Sequence, residues 1–369
     1  MIVESKFFYY HSPTHYSVLT THVSRFTMDS KRKEIPGFNF LRAIMSILIV
    51  VWHTGGFTHS LIYDINNIDH HVFTLYDFLN FHILLVIVPL FIFISCFLIV
   101  YKKPSKEHMV KRSIELLILT IFWTVLLKIW ETGYHAMWEL VPTNFASLIL
   151  LFVRSGNTIY YFFISLIICN IITFYACRLS FRSNVILLIL CALVLFSLPV
   201  IAIRFNQPII AAFYNPLNFV VYPFAAVVIY TLIVERKIQK SVLYPILLIG
   251  AIIFSVLEWK FFTNVIFLRF QGFGIPAYAR VSLLFISTFF IVVFYYYTPK
   301  RNSKVINYMA RNSLALYCLH PFFLKVRLAE RFGLEGLPLR IVNVIIIVLL
   351  CYVIADILRA KILKKELIH

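Results

Sequence analysis

Glycine is scarce in this chain of 369 residues, with ten, and so are cysteine, with six, and charged residues, at 14%. Each shortage excludes a class. Ten glycines rule out a collagen-like repeat, six dispersed cysteines do not make a small disulfide-framed fold, and low charge beside 17% aromatics is the reverse of a disordered composition. Acid is short as well: 16 Asp and Glu stand against 34 Lys and Arg, a formal net charge of +18. What is present is apolar. Hydrophobic residues make up 61% of the chain and its mean hydropathy is +0.87, whereas soluble domains are about 45–50% apolar. A water-soluble globule is excluded, which leaves one large membrane domain.

The basic residues do not cluster as a nucleic-acid surface would require; they fall in short blocks between apolar runs, as the loops of a multispanning protein do. No nucleic-acid partner is expected, and membrane lipids are. Cys96, Cys169, Cys177, Cys191, Cys318 and Cys351 lie within or at the ends of apolar segments, so they read as small core hydrophobes.

A helix needs about 20 mostly apolar residues to cross the hydrocarbon core. Ten stretches qualify: 38–57, 78–101, 113–130, 158–177, 184–203, 217–234, 242–259, 280–298, 312–329 and 339–358. The expected fold is therefore an all-α integral membrane protein, a bundle of about ten transmembrane helices. The ninth stretch is the weakest, carrying Lys325 and Arg327 where they would have to snorkel to the interface. Residues 145–153 are apolar but too short to cross, which predicts an interfacial or re-entrant segment. Placing the N-terminus inside puts 24 Lys and Arg on the inner side and 10 on the outer, so both termini are expected in the cytoplasm. Residues 1–36 form a polar N-terminal segment without the apolar core of a signal peptide, and Met28 is an alternative start. Residues 37–369 form the membrane domain, with no second domain appended and no internal repeat.

Ionisable residues inside apolar spans are costly, on the order of 2.5–3.5 kcal/mol for Arg at a helix centre, and mark candidate sites. In the first span Arg42 and His53 are eleven positions apart. That spacing turns through about 1100°, roughly 20° past three full turns, and rises roughly 16 Å, so the two share one face. Ser46 lies near the same stripe. The plainer reading has Arg42 snorkelling and His53 interfacial beside Trp52. In the ninth span Ser313, Tyr317 and His320 recur at i, i+4 and i+7 on one face, and Pro321 follows at once. By itself His320 reads more readily as a satisfied core histidine than as a site residue. Lys102, Lys103, Lys106, Lys111 and Arg112 fill the first inner loop, as positive-inside topology alone would have it, but Arg112 abuts the apolar run and could join Arg42 in holding a phosphate. The first outer loop, with Asp64, Asp69, His70, His71, Asp77 and His82, reads as an acidic solvated loop, and no metal site is assigned.

Arg42 followed by ten residues and His53 resembles the signature of the membrane acyltransferase family three, ten-span proteins that transfer acyl groups, often acetyl from acetyl-CoA, to surface glycans and other acceptors. Leu90-Phe-Ile-Phe-Ile-Ser95-Cys96-Phe-Leu-Ile, Lys111-Arg112 with Phe122-Trp123, Ile159-Tyr-Tyr-Phe-Phe and Ser313-Leu-Ala-Leu-Tyr317-Cys-Leu-His320-Pro321 resemble its further segments. Cys96 replaces the family's glycine, Tyr161 a tryptophan and Glu115 a frequent basic residue, and the proline expected near Leu119 is missing. The resemblance implies His53 and His320 as catalytic, Arg42, Arg112 and Lys111 as acyl-CoA-binding, and Ser95, Ser313 and Tyr317 as supporting. It implies acetyl-CoA as donor, no permanently bound cofactor, and a cell-envelope glycan or lipid-linked sugar as acceptor. Direct transfer and an acyl-histidine intermediate both remain open. The alternative is a transporter or flippase in which the buried Arg and His relay protons or bind an anion.

Overall fold

The computed structural model describes residues 34–56, 75–263, 276–297, 303–324 and 336–366. The possible start at Met28, the loop residues Asp64, Asp69, His70 and His71, and Lys325 and Arg327 lie outside the described residues. Every regular element among the described residues is helical. In chain order they are α1 (Pro36–His53), α2 (Ile87–Lys102), α3 (Lys106–Thr132), α4 (Phe145–Arg154), α5 (Tyr161–Ala176), α6 (Phe181–Arg204), α7 (Val221–Tyr230), α8 (Lys240–Thr263), α9 (Val281–Tyr296), α10 (Lys304–Phe323) and α11 (Gly336–Glu366). A short helix, Leu75–Phe78, and a π-helical turn, Leu79–Leu84, lead into α2, and a second π turn, Thr231–Glu235, extends α7.

Seven of the described helical stretches are long and apolar enough to cross a membrane, and α5 and α9 are shorter apolar helices of 16 residues each. With α10 these account for the ten expected spans. The 10-residue α4 is the predicted short segment, closed at its start by a capping box in which Asn144 accepts from the Ser147 N–H.

Burial sorts the spans into an inner and an outer set. The stretches Leu75–Lys102 and Pro216–Glu235 have 78% and 67% of their apolar windows buried, while α3, α6, α8 and α11 have 22% or less. On the outer helices large apolar side chains such as Ile186, Ile189, Leu190 and Leu193 of α6 stand exposed, the arrangement a lipid solvent favours.

Two of the boundaries that differ from the expectation bear on the site. Helix α10 begins at Lys304, eight residues before the predicted start, because the Ser303 hydroxyl accepts from the Ile306 N–H and caps a polar first turn that hydropathy places outside the span. Helix α1 stops at His53 rather than at 57, because Gly55 and Gly56 take positive φ values of 107° and 59° and turn the chain. At the opposite end of α1, Gly37 lets the backbone lie against α9, since a Cβ there would collide with the Phe294 carbonyl oxygen.

The outer residues Asp77 and His82 correct a prediction. Both are buried, not solvated. Arg280 holds His82 inside: its Nη1 donates to the Phe81 carbonyl at 2.9 Å and its Nη2 to His82 Nδ1 at 3.0 Å, while Nε pairs with buried Glu258 at 3.1 Å. Ser282 completes the network, donating to Glu258 from both its N–H and its hydroxyl. A buried charge needs such a shell of partners.

Candidate active site

Helices α1 and α10 run parallel and in register. Near their first turns Arg42 Nη2 donates to the Ala310 carbonyl at 2.9 Å, and ten residues further along α10 the His53 and His320 rings face each other with centroids 5.1 Å apart. The face predicted from the eleven-residue spacing is thus the face that meets α10. The two histidines, 267 positions apart in sequence, form one pair.

His320 is completely buried, and its orientation is set by its own helix. Its Nδ1 lies 3.0 Å from the Leu316 carbonyl oxygen, one turn back. A carbonyl only accepts, so in this arrangement Nδ1 carries the proton and Nε2 holds the lone pair. That Nε2 atom is buried and has no hydrogen-bond partner among the described residues. Pro321, the next residue, lacks the N–H that would bond the Tyr317 carbonyl, so the ladder is interrupted beside the imidazole.

Side chains from neighbouring helices hold this stretch of α10. Tyr160, just before α5, donates its hydroxyl to the Cys318 carbonyl at 2.7 Å, and Trp130 of α3 donates to the Phe322 carbonyl at 3.2 Å. Tyr317 donates to the Ile159 carbonyl and packs its ring 5.9 Å from His320. The rings of Tyr160, Phe162 and Phe163 lie 5.1–6.3 Å from that of Tyr317. Ser313 is buried one turn earlier and donates to Ala310, the carbonyl that Arg42 also holds.

At the other end of α1, half-buried Arg42 interacts electrostatically with Arg112 of α3 and with Glu34, and Arg112 with Glu115. Two guanidinium groups close enough to oppose one another make a pair that an anion would relieve. Lys111 is exposed. Ser95 turns to α5, donating to Asn170 Oδ1 at 2.9 Å. The buried Asn170 Nδ2 has no hydrogen-bond partner among the described residues.

Four residues escaped the sequence reading. Tyr160 lay inside a recognised aromatic segment but read there as apolar. Arg280 and Glu258 sit at facing ends of consecutive helices, a signal of opposite charge that topology could have supplied. Arg340 of α11, counted only as an outer charge, donates to the carbonyls of Gly55 and Gly56 at 3.0 and 3.2 Å, directly after His53.

Chemically, a neutral imidazole with a free, buried lone pair beside a second imidazole can take a proton from a hydroxyl or attack an electrophilic carbonyl. A family model described as an acyltransferase domain matches residues 35–360, which takes in α1 through most of α11 and every residue of the histidine pair and the arginine pair. Comparison with curated proteins and with solved structures finds no match. The chain belongs to the acyltransferase family three and is a multi-pass membrane acyltransferase.

Proposed function

We propose that the protein is an O-acyltransferase that moves a short acyl group, acetyl, from cytoplasmic acyl-CoA to a hydroxyl of a cell-envelope glycan or its lipid-linked precursor. The observation that carries this reading is the His53–His320 pair, with the buried Nε2 of His320 left without a partner. Such an atom is a poor structural choice and a good acceptor for a reacting proton.

The parallel course of α1 and α10 links that pair to Arg42 and Arg112 at the other end. In the proposed orientation this end opens to the cytoplasm of a bacterial membrane, both termini lie there, and the guanidinium groups bind the phosphates of the donor. The pantetheine arm then follows α1 for roughly 16 Å, the rise of eleven residues, to bring the thioester beside the histidines. One imidazole removes the proton of the acceptor hydroxyl as its oxygen attacks the thioester carbonyl, the C–S bond breaks, and the thiolate takes up the proton. Alternatively an imidazole accepts the acyl group first and passes it on. Both routes use the same two residues.

The test is binding and turnover of radiolabelled acetyl-CoA by purified protein, wild type beside Arg42→Ala, His53→Ala and His320→Ala. The expected result is weakened binding in the arginine variant, and normal binding without CoA release in the histidine variants. A folded wild type that neither binds nor turns over acetyl-CoA would contradict the assignment of donor.

A further inference from the structure

We propose that Arg340 is the positioning residue that holds His53 against His320. The proposal rests on the acyl transfer at the His53–His320 pair proposed above.

The end of α1 has its own local closure. Gly56 N–H bonds the Val51 carbonyl at 2.9 Å and Gly55 N–H the Trp52 carbonyl at 3.2 Å, the pair of bonds that ends a helix on a glycine. His53 is the last residue inside this closure. The closure leaves the Gly55 and Gly56 carbonyls pointing outward, and Arg340 takes both through Nη1. The fit is close: the three heavy atoms nearest to a Cβ built on Gly55 are all from the Arg340 guanidinium, at 3.3, 3.5 and 3.9 Å. A Cβ on Gly56 would meet Asn80 Oδ1 at 2.6 Å. The turn that follows His53 therefore touches both a guanidinium from α11 and the π turn before α2.

Arg340 is suited to this place for two reasons. A cation at the C-terminal end of a helix meets the negative end of its dipole, here the end that carries His53. Helix α11 also packs on both α1 and α10, so a bond from α11 to the end of α1 fixes that end relative to the helix that bears His320. Free to fray, the last turn of α1 would let the His53 ring leave the 5.1 Å pairing distance. A misplacement of about 1 Å is enough to cost on the order of a hundredfold in rate.

The experiment uses the full chain in lipid nanodiscs as wild type, Arg340→Ala and Arg340→Lys, with melting temperature recorded for each. Acetyl-CoA affinity and kcat are measured together with the rate at which diethyl pyrocarbonate modifies His53, read by mass spectrometry. The expected result for Arg340→Ala is affinity within twofold of wild type, kcat down at least tenfold and His53 modified at least fivefold faster. Arg340→Lys, which keeps the charge and one donor, should recover part of kcat. It also carries the test if the alanine variant does not fold. A kcat within twofold of wild type, or affinity and kcat falling together with no gain from lysine, overturns the proposal. If wild type does not turn over acetyl-CoA, the donor assignment fails and the labelling rate alone decides: faster labelling in the variants upholds the role of Arg340, an unchanged rate removes it.

Discussion

The hydroxyl of Tyr160 illustrates how much of the site is held by contacts to backbone. It reaches the Cys318 carbonyl from the turn just before α5 and, with Trp130 on Phe322, steadies α10 on either side of His320. Tyr160→Phe keeps the ring and removes the donor. The expected outcome is a loss of about 1 kcal/mol in stability, the usual net value of one hydrogen bond, with a larger proportional fall in turnover. Thermal melting and CoA release on the same sample check it; a variant with lower stability and unchanged turnover would make Tyr160 a packing residue only. At this scale the sequence was legible where periodicity speaks. Arg42 and His53 were placed on one face, and that face meets α10. Hydrogen bonds such as those of Tyr160 and Arg340 were not legible, because a side chain bonding a carbonyl on another helix leaves no period and no motif.

Among the elements, the spans were readable because each is a long apolar run, and α4 because it is too short to cross. The start of α10 was misplaced because Lys304 and Arg311 lower hydropathy over a turn that Ser303 nonetheless caps. The π turn at Leu79–Leu84 has no sequence signature of its own, and it carries His82 and Asn80 into the interior beside Arg280 and Gly56. The Arg280–Glu258 pair anchors this turn to α8 and α9. Glu258→Gln should therefore be severely destabilising, about 3–5 kcal/mol, because Arg280 would stay buried without its counter-charge. Replacing both residues with methionine should cost less than the single change. Melting of the two variants in the same detergent checks this, and a double variant no more stable than the single one would contradict it.

For the whole molecule, α1 and α10 are the pair of spans whose contacts run from Arg42 on Ala310 at one end to the histidine pair at the other. The proposed orientation puts the arginine end in the cytoplasm. A single cysteine added after His369 in a cysteine-free background should then react with a membrane-impermeant maleimide only after the cells are opened; reaction in intact cells would reverse the topology. The central claim is that His53 and His320 act as one unit on the acyl group. Single-turnover CoA release by wild type, His53→Ala, His320→Ala and the double variant tests it most directly. General acid–base groups contribute about 10²–10⁴-fold, so each single change should cost at least about a hundredfold, with the double variant no slower than the worse single one. Single variants near the wild-type rate, or a double variant whose loss is the product of the two, would contradict the account.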